Sequence, residues 1–211
     1  MSQFIATFTG KKFYFDNITP EQIDIADIAH ALSMLCRFTG HVHQFYSVAQ
    51  HSLLVDKQIN GSPEVHLAAL LHDAAEAYVN DLASPIKKWI ATKNRGRGVF
   101  WGKDPSSYHQ LHNRILAAIY KRFGLPVPKA SDQAWADVSR CDYAAVIFEA
   151  EAFLGLSPES LVEHGFNTTF KKLWVPWEPA RFAEEHGDLP RQNVEDEFLI
   201  RFHELTQMCR I

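Results

Sequence analysis

Apolar residues along this chain recur mostly at spacings of three and four, the period of helices that bury one face. Thr19-Pro20-Glu21 opens the first such stretch, and Ile25, Ile28, Ala29, Leu32 and Leu35 carry it towards Gly40, a residue type suited to the left-handed position after a helix. Ser47 with Gln50 three residues on has the form of a capping box, predicting a helix from about Val48 to Ile59 that Asn60-Gly61 closes. Ser62-Pro63-Glu64 starts the next helix with Pro at its first position; Val65, Ala68, Ala69, Leu70 and Leu71 extend it to about Tyr78, before Asn80-Asp81 interrupts. Ser84-Pro85 predicts a short helix through Ile90. Further helices are expected over Tyr108–Phe123, Ser131–Leu154, a short stretch from Ser157-Pro158-Glu159, and Val194–Met208, with Gly124-Leu125-Pro126 and Gly155 as stops.

Three stretches depart from that period. Phe4 to Phe15 alternates around Thr9-Gly10-Lys11-Lys12 and predicts a short β-hairpin. Lys93 to Tyr108 collects Gly, Pro, Ser and Arg and reads as a basic-tipped loop, and Trp174 to Pro179 reads as an irregular aromatic crossing. No repeat or low-complexity linker divides the chain, so residues 1–211 are expected to form a single all-α domain, a helical bundle with an N-terminal hairpin.

Composition narrows the function classes. A net charge of -4 with no basic stripe argues against a stable nucleic-acid partner, but leaves room for a small anionic ligand. Cys36, Cys141 and Cys209 are widely spaced and lack a C-x-x-C pair, so neither a disulfide framework nor a zinc knuckle is expected, and a reducing cytoplasm fits. Met1 to Gly10 shows no secretory pattern, and no apolar run approaches the roughly 20 residues that span a bilayer.

The chemistry concentrates on a few polar residues in apolar surroundings. His72-Asp73 falls within the most apolar predicted helix, where an ionised Asp costs several kcal/mol unless something compensates. A divalent cation compensates for both residues at once, since neutral imidazole and carboxylate suit Zn, Mn, Co, Ni or Fe. His51, in Val48-Ala49-Gln50-His51-Ser52-Leu53, and Asp142, in Arg140-Cys141-Asp142-Tyr143-Ala144, are the candidate ligands from other helices. Glu76, four after His72, falls on the same helical side and can act as a proton donor or acceptor; Asp81, past the next turn, can complete the site. Of the other histidines, His41 and His43 lie in a loop, His30 and His66 are expected at helix interfaces, and His109, His112, His164, His186 and His203 on the surface.

The order His, His-Asp, distant Asp resembles the HD-domain phosphohydrolase family. The likeness runs from about Phe8 to Phe123 and again over Ser131–Leu154. Leu70-Leu71-His72-Asp73-Ala74-Ala75-Glu76, continuing to Asp81 and Pro85-Ile86-Lys87, is similar to the bacterial HD-type deoxynucleoside 5′-monophosphatases. The segments around Phe8-Thr9-Gly10, Ile25–Ser33, Cys36-Arg37-Phe38-Thr39-Gly40-His41 and Tyr46–Ser52 resemble phage and prophage members. Among these are dATP triphosphohydrolases of phages whose DNA carries 2-aminoadenine. The resemblance implies a divalent ion (Zn, Co, Mn, Ni or Mg) held by His51, His72, Asp73 and Asp142, with Glu76 and Asp81 in catalysis. It implies Arg37 and Lys87 on phosphate oxygens and Phe38 against the base. Lys88, Arg95 and Arg97 are candidate contacts for further phosphates. It further implies a deoxynucleotide substrate, dATP foremost and a 5′-monophosphate as the alternative, a homo-oligomer, and a cytoplasmic location, the host's if the gene is a phage's. A metal-bearing nucleotide sensor would not need Glu76, and a cyclic-nucleotide phosphodiesterase would be expected to carry more histidines.

Overall fold

The computed structural model of this protein describes residues 3–94, 108–127, 131–169 and 178–209. Strands β1 (Phe4–Ala6) and β2 (Lys12–Tyr14) pair antiparallel, with Ile5 opposite Phe13, and form the expected hairpin. Helices follow in the order α1 (Ile25–Met34), α2 (Val48–Gln58), α3 (Pro63–Leu70), α4 (Glu76–Val79), α5 (Ser84–Asn94), α6 (Tyr108–Arg122), α7 (Gln133–Leu154), α8 (Pro158–Glu163), α9 (Pro179–His186) and α10 (Arg191–Cys209). The described chain is therefore mostly helical, with one small two-stranded sheet. No helix among the described residues is long and apolar enough to cross a membrane.

Two apolar clusters organise the packing. The larger gathers Ile28, Leu32, Leu67, Leu70, Ile119 and Phe198, from α1, α3, α6 and α10. The second joins Tyr46, just before α2, with Leu54, Val55, Phe148, Phe153 and Phe182, from α2, α7 and α9. Helix α2 borders both clusters, so its polar residues are enclosed by packing on either side. The capping box at its start is present: the Ser47 hydroxyl accepts from the Gln50 amide at 3.2 Å, and the Ser47 amide donates to Gln50 Oε1 at 2.8 Å. Gln50 Nε2 also donates to the His186 carbonyl at 2.6 Å, tying the start of α2 to the end of α9.

The structure corrects the sequence reading in several places. The first helix stops at Met34 and not near Gly40; Arg37–Gly40 is a separate tight turn in which Phe38 (φ 53) and Thr39 (φ 57) take left-handed conformations. The helix expected from Pro63 to Tyr78 breaks after Leu70. The amides of His72, Ala74, Glu76, Ala77 and Tyr78 bond three residues back, as Ala74 to Leu71 and Glu76 to Asp73 do, so His72 and Asp73 lie in a tight turn between α3 and α4. The local cause is His72 itself, whose Nδ1 bonds the Ala69 carbonyl at 2.7 Å and so engages an acceptor at the end of α3. Helix α5 runs to Asn94, past the expected Ile90, and α9 was not anticipated. His112 and His186 are half-buried, contrary to the surface placement expected of them: His186 stacks on Phe182 at 4.1 Å, and burial holds the His112 imidazole below its usual pKa. The basic tip of the predicted loop, Arg95 and Arg97 included, and Trp174–Trp177 lie outside the described residues.

Candidate metal centre

Three separate segments deliver side chains to one point. Helix α2 supplies His51, fully buried; the turn before α4 supplies His72 and Asp73; helix α7 supplies Asp142, whose side chain keeps 37% of its exposure. His51 Nε2 lies 3.2 Å from His72 Nε2, 3.1 Å from Asp142 Oδ1 and 3.5 Å from Asp73 Oδ2. His72 Nε2 lies 3.3 Å from Asp73 Oδ2 and 3.8 Å from Asp142 Oδ1. Ligands about 2.1 Å from one ion stand about 3.0 Å apart at adjacent octahedral corners and about 3.4 Å apart in a tetrahedron. The observed spacings fall near those values.

The imidazole hydrogen bonds give a second, independent test of fit. His51 Nδ1 faces Glu149 Oε1 at 2.7 Å, and His72 Nδ1 faces the Ala69 carbonyl at 2.7 Å. Both partners only accept, so each Nδ1 carries a proton, and each ring when neutral turns a bare Nε2 lone pair inward. Two lone pairs 3.2 Å apart, with two carboxylate oxygens beside them, repel unless a positive charge sits among them. Burial opposes a proton on either ring, with Arg37 adding to that at His51. Even so, Glu149 and Asp142 raise the His51 pKa, and Asp73 and Asp142 raise that of His72. The cluster thus draws positive charge, and His51, His72 and Asp142 form a group able to hold a metal ion.

The other predicted site residues surround this cluster. Glu76 is buried at the start of α4; its Oε1 meets Lys87 Nζ at 3.3 Å, while its Oε2 has no hydrogen-bond partner. Burial, then Asp73 and Asp81, hold its carboxyl well above the usual range against the pull of Lys87 and Arg37. Arg37 is 7% exposed and built into the wall, with Nη1 3.4 Å from Asp81 and 3.8 Å from Asp73, and Nη2 3.2 Å from Glu149. Phe38 is half-buried against the small apolar cluster of Ile147, Ala150 and Leu161, so core packing claims part of its ring; the Arg37 guanidinium carbon lies 5.7 Å from the ring centroid. Tyr108 stands at the rim, its hydroxyl donating to the Asn80 carbonyl at 2.8 Å, with Lys87 Nζ 5.7 Å above its ring.

Glu149 was not singled out from the sequence. It follows Asp142 by seven residues, two turns of α7, and so projects from the same side of that helix. That spacing, together with its position in the apolar run Ala144–Ala150, was the available signal.

No family model matches the chain. The chain is 38% identical over 135 residues to the Uncharacterized protein YfdR of Escherichia coli (strain K12), a match covering 64% of this chain and 66% of that protein, just under two thirds. It is 35% identical over 158 residues to the Uncharacterized protein RCAP_rcc00048 of Rhodobacter capsulatus, covering 71% of this chain and 72% of that protein. At that identity and coverage, the chain belongs to the same protein family as RCAP_rcc00048.

Proposed function

We propose that this chain is a divalent-metal-dependent phosphohydrolase of the HD-domain kind, acting on a small deoxynucleotide. The observation that carries this reading is the meeting of His51, His72 and Asp142 at ion-ligand spacing, with Asp73 3.5 and 3.3 Å from the two imidazoles, beside a buried Glu76. A divalent ion in such a site supplies Lewis-acid polarisation of a phosphoryl oxygen and makes water a competent nucleophile at neutral pH. Glu76, with its carboxyl pushed up by burial and by Asp73 and Asp81, is suited to hold a proton and give it to the departing 5′-oxygen. Arg37 stays charged because Glu149, Asp81 and Asp73 outweigh the burial that opposes its charge; it provides a fixed positive edge for a phosphate oxygen. Lys87, 35% exposed, reaches from the rim and can move between Glu76 and substrate. Asp81 keeps Arg37 from swinging away.

The substrate we assign on the phage-type resemblance is dATP, cleaved to deoxyadenosine and triphosphate. One observation favours a 5′-monophosphate as the second reading. Among the described residues, Arg37 and Lys87 are the cations at the site, and both are already paired with carboxylates, a sparse complement for a triphosphate. The deciding experiment incubates the purified chain and Mn²⁺ with the four deoxynucleoside triphosphates and monophosphates and separates the products. Triphosphate released from dATP supports the first reading. Faster turnover of dAMP transfers the assignment to the monophosphate, and no turnover of any deoxynucleotide ends the phosphohydrolase reading.

A further inference from the structure

Glu149, like His51, has no exposed surface, so it offers no face to a substrate. Its two oxygens face different partners. Oε1 accepts from His51 Nδ1 at 2.7 Å, and Oε2 accepts from Arg37 Nη2 at 3.2 Å. The partners come from α2 and from the Arg37–Gly40 turn, while Glu149 belongs to α7, the helix that also delivers Asp142. A single carboxylate therefore ties together a proposed metal ligand, the buried guanidinium and the helix of a second ligand.

We infer that Glu149 is a two-sided positioning residue, fixing the His51 proton on Nδ1 so that Nε2 faces the ion, while holding Arg37 at the edge of the same site. The inference rests on the metal-site reading above. The demand for a carboxylate, and not merely an acceptor, follows from the two partners. A glutamine offers one oxygen and one NH₂ group. Arg37 can only donate and is charged, so the amide oxygen must turn to it, since the charge-assisted bond is the stronger. The NH₂ group then faces His51 Nδ1, which has to accept, and the ring proton moves to Nε2, the atom that must stay bare for a metal. Outer partners of metal-bound histidines generally matter by about 10- to 100-fold in metal affinity.

The test compares wild type with Glu149→Gln. Titration calorimetry with Mn²⁺ should show binding about 10- to 100-fold weaker in the variant, at unchanged helical circular dichroism. In the metal-free proteins, at a pH high enough to leave His51 neutral, long-range ¹H–¹⁵N correlation spectra should place its proton on Nδ1 in the wild type and on Nε2 in the variant. A merely structural role would not move that proton. Should Glu149→Gln not fold, Glu149→Asp, which cannot span both partners, serves the same comparison and should also bind Mn²⁺ more weakly. Wild-type affinity in a folded variant, or an unmoved His51 proton, overturns the inference while leaving the metal site standing. Absence of Mn²⁺ binding by the wild type overturns the metal reading, and an unchanged His51 proton in that case removes the positioning role as well.

Discussion

Removing or supplying a divalent ion should change the thermal stability of this protein by several degrees, and the size of the effect can be worked out from the site. The ligands arrive from α2, from the turn before α4 and from α7, and His51 and Asp142 are 91 residues apart in sequence. An unfolded chain does not hold such a set together, so nearly all the binding free energy appears as folding stability. With free metal at 100 times Kd the gain is about 2.7 kcal/mol. For a chain of this size roughly 2–4 °C accompany each kcal/mol, so Tm should rise by about 5–11 °C. Differential scanning fluorimetry of chelator-treated protein, titrated with Mn²⁺, Co²⁺ or Zn²⁺, reads this directly, and chelator should reverse it. Asp142→Ala is the necessary control, because it deletes the oxygen 3.1 Å from His51 Nε2. If no divalent ion raises Tm, or if Asp142→Ala shows the full shift, the reasoning from ligand spacing is wrong.

Further expectations follow from the same geometry. In the metal-free protein both imidazole pKa values are raised, so protonation of this pair stabilises the fold below the ordinary histidine pKa, and that contribution fades as pH rises through the higher folded value. Metal requires the neutral rings, so the metal-induced Tm shift should grow from pH 5.5 to pH 8; a shift constant across that window would remove the histidines from the ligand set. Glu76→Gln should retain metal, measured by elemental analysis, and lose roughly 10²–10⁴-fold in kcat, the usual worth of a positioned proton donor; unchanged kcat would return Glu76 to a structural role. Ser47→Ala removes the cap acceptor of α2 and should cost about 1 kcal/mol in urea unfolding, with a loss near zero arguing that Gln50 alone holds that helix start.

The sequence was most legible where local signals and packing agree. Ser47-Gln50, Ser62-Pro63, Ser157-Pro158 and Gly155 mark ends that local chemistry alone specifies, and the structure places helix ends there. The break after Leu70 was hidden because Leu70-Leu71-His72-Asp73-Ala74-Ala75 holds no Gly or Pro. It depends on where the His72 ring goes, which is settled by the site and not by propensity. Phe38 and Thr39 take left-handed backbone without being Gly or Asn, a conformation that only the surrounding packing can impose. Helix α9 had its signal in Glu178-Pro179 and the Phe182-Ala183 pair, but its short length and the aromatic stretch before it obscured the period. The candidate ligands were readable one by one as polar residues in apolar runs. Glu149 stands in such a run too, but a Glu on a long helix, here with Glu151 two residues on, ordinarily faces water.

The distribution of ligands along the chain also orders events in time. During synthesis, His51, His72 and Asp73 leave the ribosome well before α7, which carries Asp142 and Glu149 together. At translation rates of about 5–20 residues per second, the 91 residues from His51 to Asp142 take on the order of 5–20 s. Until α7 emerges, Arg37 lacks its Glu149 partner and His51 and His72 lack the Asp142 oxygen. Helix α7 brings both the Asp142 oxygen and the His51 acceptor, so an ion held at this site would be captured tightly only once the α2–α7 interface has closed.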